Sequence, residues 1–436
     1  MKYLSLNHHS KAAHFQDAVK RGLAPDRGLY FPEEIPTLPL RFFENIDRIS
    51  IPEMAYEVIY PYIGDEIPKK ALMKIVTETL NFEFPLVEIS NQISALELFQ
   101  GPTLAFKDVG ARFMARTLGY FNKNNQENIT VLVATSGDTG GAVAHGFLGV
   151  QGVNVVILYP KGKVSEIQEK QLTTLGQNIT ALEVEGVFDD CQEMVKTAFL
   201  DAELSDVNLT SANSINVARW LPQMFYYFIA YRSLKAKGRK LVFSVPSGNF
   251  GNLCAGIMAK QMGLPIEHFI ASTNVNDAVP RYLETGTYEP LPTLPTISNA
   301  MDVGNPSNFI RIQKIYNNDI FKMKKDVSGF RFTDSETRKA MKEIYEAAGY
   351  IADPHGAVGY LGLKAYLENQ NENLYGVFLE TAHPVKFDEE VTKTLKFEVE
   401  VPERLKATLS QKKVSIPIND YSELKSFLLN QTFNIG

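Results

Sequence analysis

The feature that most constrains the fold is an alternation of short β-branched runs with amphipathic segments, which begins near residue 86. Runs of this length fit buried strands, and the stretches between them have the apolar spacing of helices. Strands that alternate with helices favour an α/β fold with a largely parallel sheet. The predicted strands cover residues 129–133, 153–158, 179–184, 241–245, 266–271 and 374–379, and the predicted helices include 189–200, 216–234 and 253–262.

Three parts of the chain differ in this pattern. Residues 1–85 contain two predicted helices, 51–62 and 66–80, and no redox, metal or phosphate motif, so we interpret them as an N-terminal domain that acts as a helical cap or interface. Residues 86–390 carry the α/β pattern. Residues 391–436 form a charged, weakly patterned tail, for which we expect one or two peripheral helices.

Composition narrows the class of protein. The net charge is -6, so the chain has no overall basic surface for nucleic acid. Two distant cysteines and a start without an apolar, cleavable segment predict a cytoplasmic protein, and no run reaches the roughly 20 apolar residues of a membrane helix. The seven histidines show no HExxH spacing, which argues against a catalytic metal.

A single lysine, Lys107, stands out in the stretch GPTLAFKDVGAR at residues 101–112. The apolar pattern that follows predicts a helix starting near Asp108, with Lys107 at its N-terminus. Partial positive charge there, together with burial beside Phe106, would lower the pKa of the amine. Such a lysine can attack a carbonyl group and act as a general base. From this stretch alone, an exposed lysine at a helix start is the simpler interpretation.

Two glycine-rich loops follow predicted strands and precede predicted helices. The first glycine loop (residues 134–142) reads ATSGDTGGA and is followed by a helix predicted from Val143; the second glycine loop (residues 246–252) reads PSGNFGN. Backbone N–H groups at a helix start favour anions, so each loop is a candidate site for a phosphate or carboxylate. Neither loop matches a nucleotide-binding signature. The alternative is that the two loops are ordinary tight turns that bind no ligand. Both loops follow the ends of strands, where ligands of α/β proteins collect, and this makes the alternative weaker.

A fourth segment, ETAHPVKF at residues 380–387, follows the last predicted strand. Thr381 would lie at the carboxyl end of the sheet, where ligands of α/β proteins bind. We interpret His383 as a turn histidine and Lys386 as a solvated lysine. Arg112, Lys163 and Arg219 lie near these segments and could bind a phosphate, although each alone also fits a surface or salt-bridge residue.

Together these segments resemble the threonine synthase family, whose members use pyridoxal 5'-phosphate (PLP). The similarity rests on GPTLAFKDVGARFMA, ATSGDTGGAVAH, SVPSGNFGN and TAHPVKF, and it extends to DRGLYFP, NSINVARW and ASTNVNDAVPR, so that it reaches from the N-terminal part to about residue 390. The resemblance implies a two-subdomain, tryptophan-synthase-beta-like PLP fold (fold type II) with a helical N-terminal domain. Residues 86–390 would then be the catalytic core.

The resemblance also implies roles for particular residues. Lys107 would form the Schiff base with PLP, and Thr381 would meet the pyridine nitrogen. The protein, as a monomer or a homodimer, would convert O-phospho-L-homoserine and water to L-threonine and phosphate. The family's cofactor phosphate loop falls on Gly248, Asn249, Phe250, Gly251 and Asn252. The substrate carboxylate would meet Ser136, Gly137, Asp138 and Thr139, and the candidates for the substrate phosphate are Arg112, Lys163, Asn216 and Arg219.

Two other functions stay open at this point. Another fold type II PLP lyase, such as a serine/threonine dehydratase or a cysteine synthase, would share the lysine, but such enzymes usually have a more glycine-rich phosphate loop and no DRGLYFP segment. A catalytically inactive relative that binds metabolites would be expected to lose the lysine or the phosphate loop. This chain has both.

Overall fold

The structure is a computed structural model, and it describes residues 1–123, 128–368, 370 and 373–430. The strands are β1 Tyr3–Ser5, β2 Tyr30–Pro32, β3 Leu86–Ser90, β4 Ile93–Glu97, β5 Ile129–Ala134, β6 Val153–Pro160, β7 Ile179–Val184, β8 Leu209–Ser211, β9 Lys240–Pro246, β10 Ile266–Thr273, β11 Val327–Arg331, β12 Leu374–Glu380 and β13 Ile416–Ile418.

The α-helices are α1 Phe15–Arg21, α2 Leu40–Asn45, α3 Ile51–Ile63, α4 Lys69–Thr79, α5 Lys107–Asn122, α6 Asp138–Phe147, α7 Glu166–Thr173, α8 Phe188–Leu200, α9 Val217–Trp220, α10 Met224–Leu234, α11 Gly251–Gln261, α12 Ala278–Thr285, α13 Phe309–Ile315, α14 Ile320–Asp326, α15 Asp334–Ala348, α16 Pro354–Leu367, α17 Asp388–Leu395, α18 Glu403–Leu409 and α19 Tyr421–Asn430. In the described part of the chain, no helix combines the length and apolar character that a membrane crossing requires.

The larger subdomain is built on a sheet with the strand order β11-β10-β9-β12-β4-β3. Its pairings are parallel except for the β3–β4 hairpin. The three predicted strands at its centre are β9, β10 and β12, and nearly every residue in them is buried. Helices on both faces cover these strands, which explains why their sequences are apolar runs rather than alternating patterns.

The smaller subdomain is built on a parallel sheet with the order β13-β7-β6-β5-β8. The predicted strands β5, β6 and β7 form its centre. The edge strands β8 and β13 were not predicted, because each pairs over only three residues and β13 is mostly exposed. The C-terminal tail therefore does more than add peripheral helices, since it supplies an edge strand of this sheet.

One predicted helix differs clearly from the structure. Residues 216–234 form α9, a 3₁₀ turn over Leu221–Gln223 and then α10. Pro222 lies in that turn, and a proline cannot donate the hydrogen bond that a continuous α-helix needs there. Arg219 lies in α9, before this break.

The N-terminal part pairs β1 with β2 and packs α3 against α4. The hydroxyl of Tyr3 donates to the carbonyl of Tyr62 at 2.7 Å, which joins the small sheet to the end of α3. Arg311 of α13, fully buried, donates to the carbonyl of Tyr30 at 2.9 Å and stacks 4.2 Å above the ring of Trp220. The N-terminal part thus docks on the core through a buried guanidinium.

Candidate active site

A cavity of about 490 Å³ lies where strands of the two sheets end. The first glycine loop follows β5, the second follows β9, and Thr381 follows β12. Because the carboxyl ends of parallel strands meet at one edge of a sheet, the second loop and Thr381 lie together at the edge of the six-stranded sheet. The first loop reaches the same cavity from the five-stranded sheet. The predicted site residues that line the cavity are Lys107, Ser136, Thr139, Lys163, Arg219, Gly248, Asn249, Phe250, Gly251, Asn252 and Thr381.

Lys107 is the first residue of α5, one residue earlier than the predicted helix start. The preceding segment is fixed to the end of β12, because the N–H of Phe106 donates to the carbonyl of Thr381 at 2.8 Å and the hydroxyl of Tyr226 donates to the carbonyl of Phe106. Surrounding protein desolvates the amine, so the pKa of Lys107 is lowered, with Asp138 opposing that effect. Lys107 therefore lines the cavity with an amine that loses its proton more readily than an exposed lysine does.

The next residue, Asp108, serves the loop before the helix. Its carboxylate accepts from the N–H of Thr103 at 2.9 Å and from the Thr103 hydroxyl at 2.6 Å. A Cβ at Gly101 would lie 2.4 Å from the Asp108 carboxylate, which explains the glycine there. Burial raises the pKa of Asp108. This acid is therefore a structural group that shapes the approach to Lys107.

The second glycine loop meets the N-terminus of α11 at the cavity. Phe250 has a φ of 60°, in the left-handed region, and it directly precedes the first residue of α11, Gly251. The side chain of Asn252 closes the loop by donating to the carbonyl of Pro246 at 2.8 Å. A Cβ at Gly248 would lie 2.8 Å from the carbonyl oxygen of Ala300. The loop is thus a close-fitting backbone cradle, and its N–H groups suit a phosphate.

The first glycine loop has a hydroxyl at its centre. The Thr135 hydroxyl accepts from the N–H groups of Gly137 at 2.9 Å and Gly140 at 2.8 Å. Ser136 and Thr139 face the cavity, whereas Gly137 and Asp138 do not line it. Helix α6 starts at Asp138, five residues before the predicted start at Val143. The helix N-terminus therefore lies within the loop, which strengthens the loop's suitability for an anion.

Two cations reach the cavity. Arg219 is buried, its Nε has no hydrogen-bond partner among the described residues, and burial lowers its pKa to about 10. A buried guanidinium with an unused donor at a cavity wall is suited to an anionic ligand. Lys163 is exposed and lies at the edge of the same cavity.

Arg112 and Asn216 are not brought to the cavity. The Arg112 guanidinium donates to the Asn81 side chain at 2.6 Å and lies 5.7 Å from the ring of Phe82, so it faces the N-terminal part. Asn216 is buried behind the site, where its amide donates to the carbonyl of Val19 at 2.9 Å and its oxygen caps α9. Neither side chain lines the cavity, and the hydrogen bonds described for both connect parts of the scaffold.

The prediction that Lys386 is a solvated lysine is wrong. Lys386 is buried, and its Nζ lies 2.6 Å from the Asp138 carboxylate and 2.9 Å from the carbonyl of Thr103. His383 does lie in a turn, where its Nδ1 accepts from the N–H of Val385, and burial lowers its pKa to about 4. Burial of Lys386 depends on tertiary packing, and a lysine after a strand gives no local sign of it.

Further cavity residues come from segments without a recognised motif. His355 lies at the start of α16, accepts from the N–H of Ala300 at 3.2 Å, and is held through Nδ1 by Asp353 at 2.5 Å. Residues in the range 293–303 supply part of the cavity wall, and Ala300 lies next to Gly248 of the second glycine loop. The remaining lining residues include Asn213, Ser214, Gln223, Thr293, Pro295, Asn299, Met301, Asp302 and Val303.

Metal chemistry has no support in this geometry. Over the residues that the structure describes, no group of three histidine, cysteine, aspartate or glutamate side chains could hold a metal ion. The features that do converge are the Lys107 amine with its lowered pKa, two N–H cradles at helix starts and the buried Arg219 guanidinium, one of whose nitrogens has no partner among the described residues. Such a site suits a phosphorylated carbonyl cofactor together with an anionic substrate.

Comparisons with known proteins identify the class of this fold and site. The family described as "Pyridoxal-phosphate dependent enzyme" matches residues 85–377. The families "Threonine synthase N terminus" and "Threonine synthase, C-terminal" match residues 2–80 and 356–428. The fold is that of a fold type II PLP-dependent enzyme, as the family resemblance in the sequence predicted.

Individual relatives cover the whole chain. Threonine synthase of Buchnera aphidicola subsp. Acyrthosiphon pisum is 45% identical over 99% of this chain and 100% of its own. The crystal structure of threonine synthase from Escherichia coli has a TM-score of 0.91 at 42% identity and covers 99% of this chain and 100% of its own. That of PLP-bound threonine synthase from Brucella melitensis has a TM-score of 0.92 at 36% identity, with 98% of each chain covered.

The chain belongs to the threonine synthase family. It is a PLP-dependent lyase, and its cofactor is PLP. The observed cradle fits this group, since the Gly248–Ala300 approach leaves no room for a side chain and the α11 N-terminus offers N–H groups to a phosphate.

Proposed function

We propose that the chain converts O-phospho-L-homoserine and water to L-threonine and phosphate, the last step of threonine biosynthesis. One observation carries this proposal: Lys107 shares a single cavity with two separate anion cradles and with the buried Arg219 guanidinium, whose Nε has no hydrogen-bond partner among the described residues. A cofactor phosphate occupies one cradle. The other cradle and the guanidinium then match the two anionic ends of a phosphorylated amino acid.

The residues have distinct roles in this proposal. When bound, PLP supplies the electron-withdrawing ring that makes protons next to the substrate's bound nitrogen acidic. The N–H groups of the second glycine loop hold its phosphate, and the Thr381 hydroxyl meets its pyridine nitrogen. A hydroxyl, unlike a carboxylate, does not strongly hold a proton on that nitrogen, so more of the proton transfer falls to Lys107.

Lys107 is the proposed proton carrier. Its lowered pKa leaves a larger fraction of neutral amine near neutral pH, so that Nζ can take a proton from substrate and return it. Its fixed position at the start of α5 keeps these transfers on one side of the substrate. The hydrogen bond from the N–H of Phe106 to the carbonyl of Thr381 ties this base to the end of β12.

Substrate anions meet two other groups of residues. Ser136 and Thr139, with the backbone from Gly137, receive the substrate carboxylate. Arg219 and Lys163 attract the substrate phosphate and stabilise it as it leaves. Arg112 and Asn216 are assigned to the scaffold, in keeping with their contacts away from the cavity.

The proposal extends to organisation and location. Residues 1–85, 86–390 and 391–436 are proposed as the three parts of the chain. The proposed organisation is a monomer or a homodimer. A cytoplasmic location agrees with two cysteines, Cys191 and Cys254, that are buried and free.

The decisive assay incubates the PLP-loaded protein with O-phospho-L-homoserine and measures threonine and phosphate. We expect equal amounts of both products. Conversion of threonine or serine to a keto acid without any phosphate release would contradict the proposal and would favour the serine/threonine dehydratase alternative. The matched control is Arg112→Met, which removes a cation close to the site in sequence and leaves the cavity lining intact.

A further inference from the structure

A buried cluster behind the first glycine loop joins three segments of the site. Lys386 lies in the 3₁₀ turn Pro384–Phe387, five residues after Thr381. Its Nζ is 2.6 Å from the Asp138 carboxylate, at the start of α6, and 2.9 Å from the carbonyl of Thr103, four residues before Lys107. Both charged side chains are nearly inaccessible to solvent. One ammonium group therefore contacts the segments that carry the substrate loop and the lysine.

Helix α7 completes the cluster with two amides three residues apart. The Gln168 amide donates to the same Asp138 oxygen at 2.9 Å, and the Gln171 amide donates to the same Thr103 carbonyl at 3.0 Å. The spacing places both amides on one face of α7. Each acceptor thus has one charged and one neutral donor, and the small subdomain is tied to the Lys107 segment at this point.

The location of the cluster creates an electrostatic requirement. Asp138 belongs to the loop proposed to receive a carboxylate, and an unpaired aspartate there would repel that carboxylate at short range. Burying two charges has a large desolvation cost, and well-packed apolar residues would serve stability equally well or better. A role in the site accounts for an ion pair that stability does not require.

We propose that Lys386 is a positioning residue that neutralises Asp138 and clamps the first glycine loop to the Lys107 segment, so that the loop accepts the substrate carboxylate. This inference rests on the proposed function. Lys386 lies outside the residues that line the cavity, so it acts through Asp138 and Thr103 and not by contact with substrate.

The pair also acts on Lys107. Three charged groups on other segments influence its amine: Asp138 of α6 raises the pKa, whereas Lys386 of the 3₁₀ turn and Arg219 of α9 lower it. Removal of Lys386 alone takes away one of the two cations that lower it, so the pKa of Lys107 should rise. Removal of Asp138 alone should have the opposite effect.

Neighbouring titratable groups do not obscure this relation. Two histidines near the Lys386 ammonium, His145 and His383, have a pKa of about 4 because of burial, so they stay neutral in neutral and alkaline solution. Tyr226, which bonds to the segment before Lys107, has a pKa raised well above its usual value. Along the cavity, Asp302 has a pKa of about 6, and titrations above pH ~7.5 avoid it.

The test uses PLP-loaded protein in four forms: wild type, Lys386→Met, Asp138→Asn and the double variant. The first readout is the affinity for L-norvaline, a carboxylate-bearing amino acid without phosphate, followed through the visible band of the bound cofactor. We expect Lys386→Met to weaken norvaline binding at least about tenfold. With O-phospho-L-homoserine, KM should rise by a similar factor while kcat changes less than about threefold.

The second readout is the pH titration of the same visible band without any amino acid. Its midpoint should move up in Lys386→Met, move down in Asp138→Asn and return toward wild type in the double variant. The double variant has no unpaired buried charge, so it should also bind norvaline more tightly than Lys386→Met does. It keeps the comparison possible if the single lysine variant does not fold.

A control variant separates the loss of any ion pair from the loss of this one. Lys260 forms a partly buried pair with Asp326 at 2.7 Å, and neither residue lines the cavity, so Lys260→Met should leave both readouts unchanged. Unchanged norvaline affinity and an unchanged midpoint in folded Lys386→Met would overturn the inference, and so would a double variant whose effects simply add. Failure of the wild type to make threonine would overturn the proposed function and leave the norvaline and midpoint tests valid.

Discussion

The buried guanidinium of Arg311 offers a quantitative test of how the N-terminal part is held. It donates to the carbonyls of Tyr30 at 2.9 Å, Ile215 at 2.6 Å and Ser214 at 3.2 Å, and to the Asn308 side chain at 2.6 Å. Arg311→Met leaves these four acceptors unpaired, at about 2 kcal/mol each. Burial lowers the pKa of Arg311 to about 10, which reflects the cost of keeping this cation out of water. Its removal therefore offsets part of the loss, by about 3 kcal/mol. The net loss of stability is about 5 kcal/mol.

Urea unfolding of the wild type and of Arg311→Met measures this loss. Arg311→Lys keeps the charge but not the planar guanidinium group, so its free energy of unfolding should lie between those of the wild type and Arg311→Met. Arg41 is exposed, so Arg41→Met should change the free energy of unfolding by less than about 0.5 kcal/mol. A loss below about 1 kcal/mol for Arg311→Met would refute the idea that this guanidinium joins the N-terminal part to the core.

Two more predictions concern the cofactor loop and pH. Gly248→Ala places a Cβ 2.8 Å from the Ala300 carbonyl oxygen, so the second glycine loop must move. The affinity for PLP, measured by absorbance titration, should fall at least about tenfold. An unchanged affinity would contradict the close fit of this loop. His268 has a pKa lowered from 6.5 to about 4 by burial, so the folded state binds its proton less readily than the unfolded state. The contribution of His268 to the free energy of unfolding is therefore complete above pH 6.5 and falls by up to about 3 kcal/mol as the pH drops toward about 4. His268→Gln should flatten the dependence of stability on pH over this range.

The sequence predicted those parts of the fold and site that depend on local patterns. The central strands β5, β6, β7, β9, β10 and β12 are long apolar runs, and both glycine loops occur directly after such runs. Parallel pairing places the second glycine loop and Thr381 at one edge of the same sheet. The first glycine loop belongs to the other sheet, so its approach to them depends on how the two subdomains pack, which no local pattern reveals.

Helix geometry explains why Arg112 does not line the cavity. It lies five residues beyond Lys107 on α5, and five residues turn an α-helix through about 500°, so the two side chains point about 140° apart. One of them can face the cavity only if the other faces away. This relation was available from the sequence, once the helix start at Lys107 is known.

Other site features depend on contacts that are distant in sequence. Lys386 reaches Asp138 across 248 positions and Thr103 across 283 positions, so no local pattern marks it as buried. His355 is placed by its N-cap partner Asp353 and by Ala300, which belongs to a segment without regular periodicity. Edge strands such as β13 are set by pairing with a partner and carry only a weak signal of their own.

The central claim is that Lys107 is the amine that holds PLP in the cavity shared by the two glycine loops. The most direct measurement reduces the PLP-loaded protein with borohydride, digests it and identifies the labelled lysine by mass spectrometry. The account predicts that the label lies on Lys107, in the peptide that contains GPTLAFKDVGAR, and that Lys107→Ala takes up no label while it stays folded. A label on Lys163, on Lys386 or on another lysine, with Lys107 unmodified, would contradict it.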